Sequence, residues 1–183
     1  MSVALTIFAA NILVFVSLAL AVPTLAVLLM RARRRVPAWL LSAATTLLLS
    51  LVLARVAGML YDDPRPFVVE HVTPLVPHAA DNGFPSDHAL LAAAIVALVF
   101  LARPKASLPF AVLAALVDWA RVASGVHHVI DVVGSSAIVA AALVVGWLVQ
   151  IRARARVGIA ASPARGPEAL DRECHQGRPS AQR

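Results

Sequence analysis

Long apolar stretches separated by short polar segments cover the chain from Val3 to Ile151. A helix that crosses the hydrocarbon core of a bilayer needs about 20 consecutive, mostly apolar residues. Five stretches meet or approach that length: Val3–Met30, in which Pro23 can introduce a kink, Pro37–Leu60, the shorter Ser86–Ala102, Ser107–Ser124 and Val129–Ile151. A transmembrane barrel would instead show short segments of alternating polarity. The pattern therefore predicts an all-α, polytopic membrane helical bundle with about five transmembrane helices.

The start of the chain fits a membrane helix better than a cleaved signal peptide. Residues 1–30 carry no charged side chain, and the basic run Arg31–Arg35 follows the apolar stretch. A signal peptide has its basic residues first, then a shorter apolar region and a small-residue cleavage site. We therefore expect the first apolar stretch to be retained as a transmembrane helix.

Composition supports a membrane protein and argues against a nucleic-acid partner. Hydrophobic residues make up 60% of the 183 residues and the mean hydropathy is +0.82, whereas a soluble domain is roughly 45–50% apolar. The net charge of +6 comes from basic residues grouped between apolar stretches, and such grouping reports membrane orientation. The single cysteine, Cys174, excludes a disulfide framework and a cysteine-rich metal site.

Thirteen of the sixteen Lys and Arg residues define the predicted orientation. They lie in the run Arg31–Arg35, at Arg103 and Lys105, and after Ile151. Five crossings place all of them on one side, which is the cytoplasmic side by the positive-inside rule. The N-terminus is then outside and the C-terminus inside. Residues 1–158 form the predicted transmembrane domain, and residues 159–183, rich in Arg, Pro, Gly and Ser, are predicted to be a disordered basic cytoplasmic tail.

Three polar segments interrupt the apolar pattern: Asp62–Phe67, Phe84–His88 and Arg121–Asp131. Charged side chains near lipid are costly and tend to be kept where function needs them. The topology derived from Lys and Arg places all three segments at the extracytoplasmic face. We therefore expect them to form one site there.

The residues of these segments suit phosphoryl transfer. Arg65 and Arg121 can each hold phosphate oxygens through a planar fork of donors, and a histidine can act as nucleophile through a phosphorylated intermediate. Asp131 follows His127 by four residues, so on one helix face its carboxylate can hold one ring nitrogen and leave the other free to attack. His88 is then the candidate general acid for the leaving oxygen.

The start of the third apolar stretch offers a further phosphate ligand. Pro85-Ser86 is typical of a helix start, where a serine hydroxyl caps the helix or can bind a phosphate oxygen. Helix N-termini favour anions because their first backbone N–H groups are unpaired.

Structural roles remain as alternatives for several of these residues. His127 and Asp131 can be a buried hydrogen-bonded pair, and Arg121 can pair with Asp118 on the same helix. Other polar residues fit rim, loop or turn positions: His128 at the rim, His71 and His78 in a loop, and Asp62 and Asp63 either in a solvated turn or in contact with substrate or a divalent ion.

A metal site is the other alternative for these side chains. Six residues hold enough nitrogen and oxygen ligands for zinc or magnesium: His88, His127, His128, Asp131, Asp62 and Asp63. Two arginines beside a metal would repel it unless a phosphate lay between them. We therefore predict neither a metal nor a cofactor.

The polar segments resemble the three signature motifs of the type 2 phosphatidic acid phosphatase superfamily, and most closely those of its bacterial undecaprenyl-diphosphatase branch. The resemblance covers about residues 55–135 and rests on Arg65-Pro66, on Pro85-Ser86-Asp87-His88, and on Arg121, His127 and Asp131 with their spacing. It implies metal-independent hydrolysis with His127 as nucleophile, Asp131 as its partner and His88 as acid. Arg65, Ser86 and Arg121 would hold the phosphate.

Two positions depart from the family pattern. Gly58 stands where the family usually has a lysine, seven residues before Arg65, and Ala120 stands where a serine usually precedes the third-motif arginine. Arg55, one helical turn before Gly58, is the candidate replacement for that lysine.

The resemblance implies hydrolysis of undecaprenyl diphosphate, an isoprenoid lipid diphosphate, to undecaprenyl phosphate and inorganic phosphate. The enzyme would lie in the bacterial cytoplasmic (inner) membrane with an extracytoplasmic active site, recycle the lipid carrier of peptidoglycan synthesis and oppose bacitracin. The alternatives are a phosphatase for phosphatidylglycerol phosphate or phosphatidic acid, and a non-catalytic lipid-binding or transport protein. The bilayer is a further partner, and the sequence makes no prediction of oligomeric state.

Overall fold

The computed structural model describes residues 2–160, and these form α-helices joined by short connections. In chain order the helices are α1 (Val3–Asn11), α2 (Leu13–Arg31), α3 (Val36–Leu60), α4 (Pro66–Val69), α5 (Asp87–Ala102), α6 (Leu108–Ala123) and α7 (Val129–Ala160). Short 3₁₀ turns precede α3 and α6. Apart from residues 159 and 160, which continue α7, the predicted cytoplasmic tail lies outside the described residues.

The all-α membrane bundle predicted from the sequence is confirmed. Within the described part of the chain, four helical stretches are long and apolar enough to cross a membrane, and Asp87–Ala102 is a shorter apolar helix. Many large apolar side chains on the helix surfaces are exposed, among them Leu48, Leu51 and Met59. Such a surface suits contact with lipid.

The first apolar stretch differs from the single kinked helix predicted for it. The chain is divided at Ile12 into α1 and α2, and Pro23 lies inside α2. At the division the Ile12 carbonyl accepts a 3₁₀-type hydrogen bond from the Phe15 amide at 3.0 Å, as well as an α-helical hydrogen bond from the Val16 amide at 3.1 Å. Membrane helices tolerate an internal proline because neighbouring groups and local adjustments satisfy the freed carbonyl.

Helix α5 occupies the centre of the bundle and packs against α2, α3, α6 and α7. Its buried positions include Ala89, Ala92 and Ala97. Small side chains let membrane helices approach closely and gain van der Waals contact.

The most extensive helix pairing is between α3 and α7, and Gly146 lies at its tightest point. A Cβ atom at residue 146 would meet the Thr46 hydroxyl and would lie 2.8 Å from the Ser42 carbonyl oxygen. Both are on α3, so the two backbones are in close contact here.

The succession of helices gathers the polar segments at one end of the bundle. The last residues of α3 and α6 and the first residues of α5 and α7 lie at this end, which carries Arg65, His88, Arg121 and His127 around one cavity. The basic groups near Arg35, Lys105 and Arg152 lie at the opposite helix ends. The connection between α3 and α5 is held across the polar end, because Leu75 donates its amide to the Ser124 carbonyl at 2.9 Å.

We expect Gly146→Leu to destabilise the bundle by about 1–3 kcal/mol, because overpacking a tight contact forces backbone movement. Thermal unfolding of the purified protein in detergent measures this as a lower midpoint. Ala141→Leu, an exposed small-to-large change on the same helix, is the control and should leave the midpoint near that of the unchanged protein. Equal midpoints for the two variants would contradict the close packing of α3 on α7.

Candidate active site

A cavity of about 610 Å³ opens at the polar end of the bundle. It is lined by residues from all three polar segments and from α3, among them Arg55, Arg65, Asp87, His88, Arg121 and His127. The structure thus brings most of the candidate residues to one place.

The turn between α6 and α7 positions His127. Helix α6 ends at Ala123, and Gly125 follows with a φ of +74°, a left-handed conformation that glycine adopts without steric cost. The Gly125 amide donates to the Val122 carbonyl at 2.9 Å and closes the helix end. His127 follows two residues later and is buried, with 3% of its surface exposed.

His127 and Asp131 form the pair expected from their spacing. His127 Nδ1 lies 3.2 Å from Asp131 Oδ2, which also accepts the His128 backbone N–H at 2.9 Å. Asp131 lies in the first turn of α7 and is fully buried. A carboxylate only accepts hydrogen bonds, so Nδ1 carries the proton and donates to Asp131. The lone pair of the neutral ring is therefore on Nε2.

Two guanidinium groups surround His127 Nε2. Arg65 Nη1 and Arg121 Nη2 each lie 3.3 Å from this nitrogen, and both arginines are buried. Arg65 also donates from Nη1 to the Val126 carbonyl at 2.9 Å and from Nε to Asp81 Oδ1 at 2.8 Å. The arrangement directs cationic donors at the place that an anion in front of Nε2 would occupy.

The surroundings of His127 favour its neutral form. Burial lowers the pKa of His127, the Asp131 carboxylate opposes this by raising it, and the charges of Arg121 and Arg65 lower it further, so that the net pKa lies below the ordinary histidine value. A neutral imidazole is the form in which Nε2 can act as a nucleophile.

His88 and Ser86 lie at the start of α5. His88 lines the cavity in the first helical turn, with its ring edge-on to Phe15 at a centroid distance of 6.3 Å. Ser86 is at the N-cap position and fully buried, but its hydroxyl makes no capping hydrogen bond. The hydroxyl also has no hydrogen-bond partner among the described residues, and the cavity is lined by its neighbours Pro85 and Asp87 and not by Ser86 itself.

Unpaired buried polar atoms concentrate in the candidate site. Within residues 2–160, the buried side-chain atoms without a hydrogen-bond partner are Ser86 Oγ, Arg121 Nε, Asp131 Oδ1 and Asp118 Oδ1. Buried polar groups are nearly always paired. Three of these four atoms belong to residues that the sequence assigned to the site.

Arg55 lies at the rim of the cavity, where its side chain is exposed. Gly58, in contrast, is packed against the second polar segment, since a Cβ there would lie 3.2 Å from both the Phe84 carbonyl oxygen and Pro85 Cδ. A side chain at 58 would meet tightly packed backbone, whereas Arg55 one turn earlier has open space.

The loop between α3 and α5 supplies cavity residues that sequence reasoning had not assigned to the site. The His78 ring packs edge-on against His127 with centroids 6.0 Å apart, and both residues line the cavity. Partial burial and the positive charges of Arg65 and Arg121 lower the pKa of His78. The hydrogen bond from Arg65 lowers the pKa of the Asp81 carboxyl. Neither residue belongs to a motif with fixed spacing, so the sequence carried no signal for them.

Asp118 does not pair with Arg121, contrary to the structural alternative. Ser136 donates its hydroxyl to Asp118 Oδ2 at 3.4 Å, whereas Arg121 donates to the Ala10 carbonyl at 3.4 Å and to His127. The two side chains leave α6 in different directions, although three residues separate them.

One cluster within residues 2–160 has the composition of a metal site. Asp63, His128 and Asp131 each place one nitrogen or oxygen within 4.8 Å of the others. Asp63 Oδ2, however, already lies 3.0 Å from His128 Nδ1, and Asp131 Oδ2 accepts from His127 and from the His128 backbone. These groups are thus engaged with one another and with the candidate nucleophile.

Comparisons with known proteins identify a family and similar relatives. A family model described as the PAP2 superfamily matches residues 39–156. The chain is 36% identical over 108 residues to undecaprenyl-diphosphatase BcrC of Bacillus subtilis (strain 168), covering 59% of this chain and 54% of that protein. It is 38% identical over 98 residues to the bacitracin transport permease protein BcrC of Bacillus licheniformis, covering 52% and 48%. The matched region is about half the length of these relatives.

A solved structure shares the fold. The crystal structure of Aquifex aeolicus LpxE superimposes with a TM-score of 0.59 at 21% sequence identity, covering 78% of this chain and 85% of that chain. At this identity the likeness concerns the arrangement of helices.

The pKa of His127 should respond in opposite directions to its two kinds of neighbour. Asp131→Asn removes the charge that stabilises the imidazolium and should lower the pKa further, whereas Arg121→Gln removes a repelling cation and should raise it. NMR titration of the histidine rings in detergent measures both shifts. Asp62→Asn, which changes an exposed carboxylate, is the control and should leave the pKa of His127 unchanged. Shifts of the same sign in the first two variants would refute this account of the site.

Proposed function

Because the chain belongs to the PAP2 superfamily, we propose that it is a metal-independent membrane lipid-phosphate phosphatase. The observation that carries the proposal is the position of His127 Nε2, which faces the guanidinium groups of Arg65 and Arg121 at 3.3 Å each. A neutral nucleophile between two buried cations suits a phosphate ester, whose oxygens both cations can hold. A purely structural histidine would have no need of two such cations.

In the first step, Arg65, Arg121 and the free Ser86 hydroxyl bind the non-bridging oxygens of the terminal phosphate. The phosphate oxygens then take the place of Nε2 as partners of the guanidinium groups. His127 Nε2 attacks phosphorus, and the bond from phosphorus to the bridging oxygen breaks. His88 donates a proton to that departing oxygen, and Asp131 stabilises the positive charge that develops on the His127 ring.

In the second step, water hydrolyses the phosphohistidine. The water oxygen attacks phosphorus while His88, now neutral, accepts a proton from that water. The bond between phosphorus and Nε2 breaks. Inorganic phosphate leaves and His127 returns to its neutral form. The arginines again bear the charge on the phosphate oxygens, which is the main catalytic demand in phosphoryl transfer.

Undecaprenyl diphosphate is the proposed substrate, and the products are undecaprenyl phosphate and inorganic phosphate. The name of the Bacillus subtilis relative, undecaprenyl-diphosphatase BcrC, supports this choice. Arg55 at the cavity rim is suited to the second phosphate of such a diphosphate, because it lies outside the inner pair of arginines. This activity would recycle the carrier lipid of peptidoglycan synthesis and oppose bacitracin.

The active site is proposed to face the extracytoplasmic side of the inner membrane. The support is the separation of charges along the helices: the site lies at one end of the bundle, and the runs of Arg and Lys lie at the other. The positive-inside rule assigns the basic end to the cytoplasm.

Transport or lipid binding without hydrolysis is the competing function. The name of the Bacillus licheniformis relative, a bacitracin transport permease protein, favours it. Such a protein would bind a lipid phosphate in the same cavity without turnover. Phosphatases for phosphatidylglycerol phosphate or phosphatidic acid are the alternatives that share the chemistry.

The purified protein should release phosphate from undecaprenyl diphosphate, and faster than from phosphatidylglycerol phosphate or phosphatidic acid. His127→Ala should reduce release by at least 10³-fold, since it removes the nucleophile. His71→Asn is the control, because residue 71 is exposed with a positive φ of 54° that asparagine tolerates.

Release should persist in EDTA, since the proposed mechanism uses no metal. Lipid binding without release from any of the three lipids would favour the competing function. Undiminished release by His127→Ala would rule out His127 as the nucleophile.

Arg55→Gln should lower kcat/KM for undecaprenyl diphosphate about tenfold, which corresponds to one charge-assisted hydrogen bond. The same change should have little effect on a lipid monophosphate, which has no second phosphate to reach the rim. Steady-state phosphate release measures both. Arg152→Gln, an exposed arginine at the opposite end, controls for the loss of positive charge. Equal losses on the diphosphate and the monophosphate would remove Arg55 from substrate recognition.

A further inference from the structure

Two carboxyl groups meet behind the candidate nucleophile. Asp63 comes from the segment after α3 and Asp131 from the first turn of α7, and one polar atom from each of these residues and from His128 lies within 4.8 Å of the other two. Asp131 is fully buried, and the Asp63 side chain is 15% exposed. Two ionised carboxylates at this separation repel each other strongly in a buried setting.

The backbone of the loop is built to bring Asp63 to this position. The Asp63 amide donates to Asn82 Oδ1 at 3.0 Å, and the Asp63 carbonyl accepts the Gly83 amide at 2.8 Å. Gly83 fits between the two acidic residues, since a Cβ there would lie 3.0 Å from Asp131 Oδ2 and from the Asp63 carbonyl. None of these contacts uses the Asp63 side chain, so the carboxyl group is left for another role.

The hydrogen bonds leave one gap that a proton would fill. Asp131 Oδ2 accepts from His127 and from the His128 backbone, whereas Asp131 Oδ1 is buried without a partner. Asp63 Oδ2 pairs with His128 Nδ1 at 3.0 Å, which leaves Asp63 Oδ1 available. A neutral carboxyl group can donate one hydrogen bond and still accept another.

We propose that Asp63, carrying a proton, is a positioning residue: it donates to Asp131 Oδ1 and so holds the carboxylate whose other oxygen orients His127. His128 holds Asp63 in turn. This inference rests on the proposed function, because it assigns a role in orienting the proposed nucleophile. Asp63 does not itself line the cavity and acts through Asp131.

The charges around Asp63 favour its neutral form. Burial raises the pKa of Asp63, the neighbouring Asp131 carboxyl raises it further, and His128 opposes the shift. Glu70 Oε1 lies 3.6 Å from His128 Nε2 and so contacts the far side of the His128 ring, not Asp63. The nearby Arg65 turns its guanidinium toward Asp81, Val126 and His127, where it is committed to the cavity.

The hydrogen bond from Asp63 would have two effects on the catalytic pair. It fixes the rotation of the Asp131 carboxylate, so that Oδ2 stays in line with His127 Nδ1. It also draws negative charge toward Oδ1, which moderates the stabilisation of the His127 imidazolium by Asp131. Loss of the donor should therefore disorder the pair and raise the pKa of His127.

The test compares Asp63→Asn, Asp63→Ala and the control Asp62→Ala. Asparagine keeps one donor for Asp131 and one acceptor for His128, alanine removes both, and Asp62 is the exposed neighbouring carboxylate. Steady-state phosphate release gives kcat and KM, and NMR titration in detergent gives the pKa of His127 independently of activity. Thermal unfolding confirms that each variant is folded.

We expect Asp63→Ala to lower kcat about tenfold with KM unchanged and to raise the pKa of His127. Asp63→Asn and Asp62→Ala should stay within about twofold of the unchanged protein, with the pKa of His127 little altered. Unaltered kcat and pKa in Asp63→Ala would overturn the proposal. Equal losses in Asp63→Ala and Asp63→Asn would also overturn it, because they would show that the charged carboxylate is what matters.

Two further outcomes distinguish this inference from a metal site and from the proposed function. If EDTA abolishes activity and added Zn²⁺ restores it, the proposed proton between Asp63 and Asp131 is overturned, and the two carboxyl groups are assigned to binding a cation. A protein that releases no phosphate from any lipid would refute the proposed function. The pKa of His127 in the Asp63 variants would then still decide whether Asp63 donates to Asp131.

Discussion

The placement of two guanidinium groups beside one neutral imidazole nitrogen is the constraint on which the rest of the structure depends. Arg65 and Arg121 are both almost fully buried and both face His127 Nε2. Two like charges in a poorly solvated cavity repel each other and need partners. The surrounding loop and helix ends supply acceptors, and the remaining demand is for an anion. A phosphate can supply that anion. The same two positive charges favour the neutral form of His127, in which Nε2 can attack.

The membrane setting explains why the site lies at helix ends. Within the hydrocarbon core, backbone groups must be satisfied inside each helix, so irregular backbone is confined to the ends or to cavities. The left-handed turn at Gly125 and the connection that carries Asp63 and Asn82 both lie at the polar end of the bundle. Away from this end, small residues such as Gly146 and Ala92 lie at close contacts between the helices. Helices α6 and α7 carry Arg121 and Asp131, whereas the irregular connections carry Arg65 and His127.

Different parts of the site were readable from sequence to different degrees. The spacing of His127 and Asp131 predicted their contact, although His127 lies in the turn before α7 and not on the same helix face as Asp131. The gathering of Arg65, His88 and Arg121 followed from the order of crossings. Spacing in the sequence could not decide whether Asp118 pairs with Arg121. The direction of each side chain depends on which neighbouring helix it meets. The first apolar stretch was read as one helix, whereas its division at Ile12 comes from a local change in hydrogen bonding that apolar residues do not signal.

The sequence by itself determined the membrane bundle and most of its helices, because apolar length is a local property of a chain. Only the tertiary structure decided which oxygen of Asp131 faces His127, that Gly58 packs against Phe84 and Pro85 while Arg55 lies open at the rim, and that His78 and Asp81 line the cavity. Those contacts join residues from separate segments across a loop of irregular conformation. Their geometry depends on how the helix ends pack together, and no periodicity in the chain encodes it.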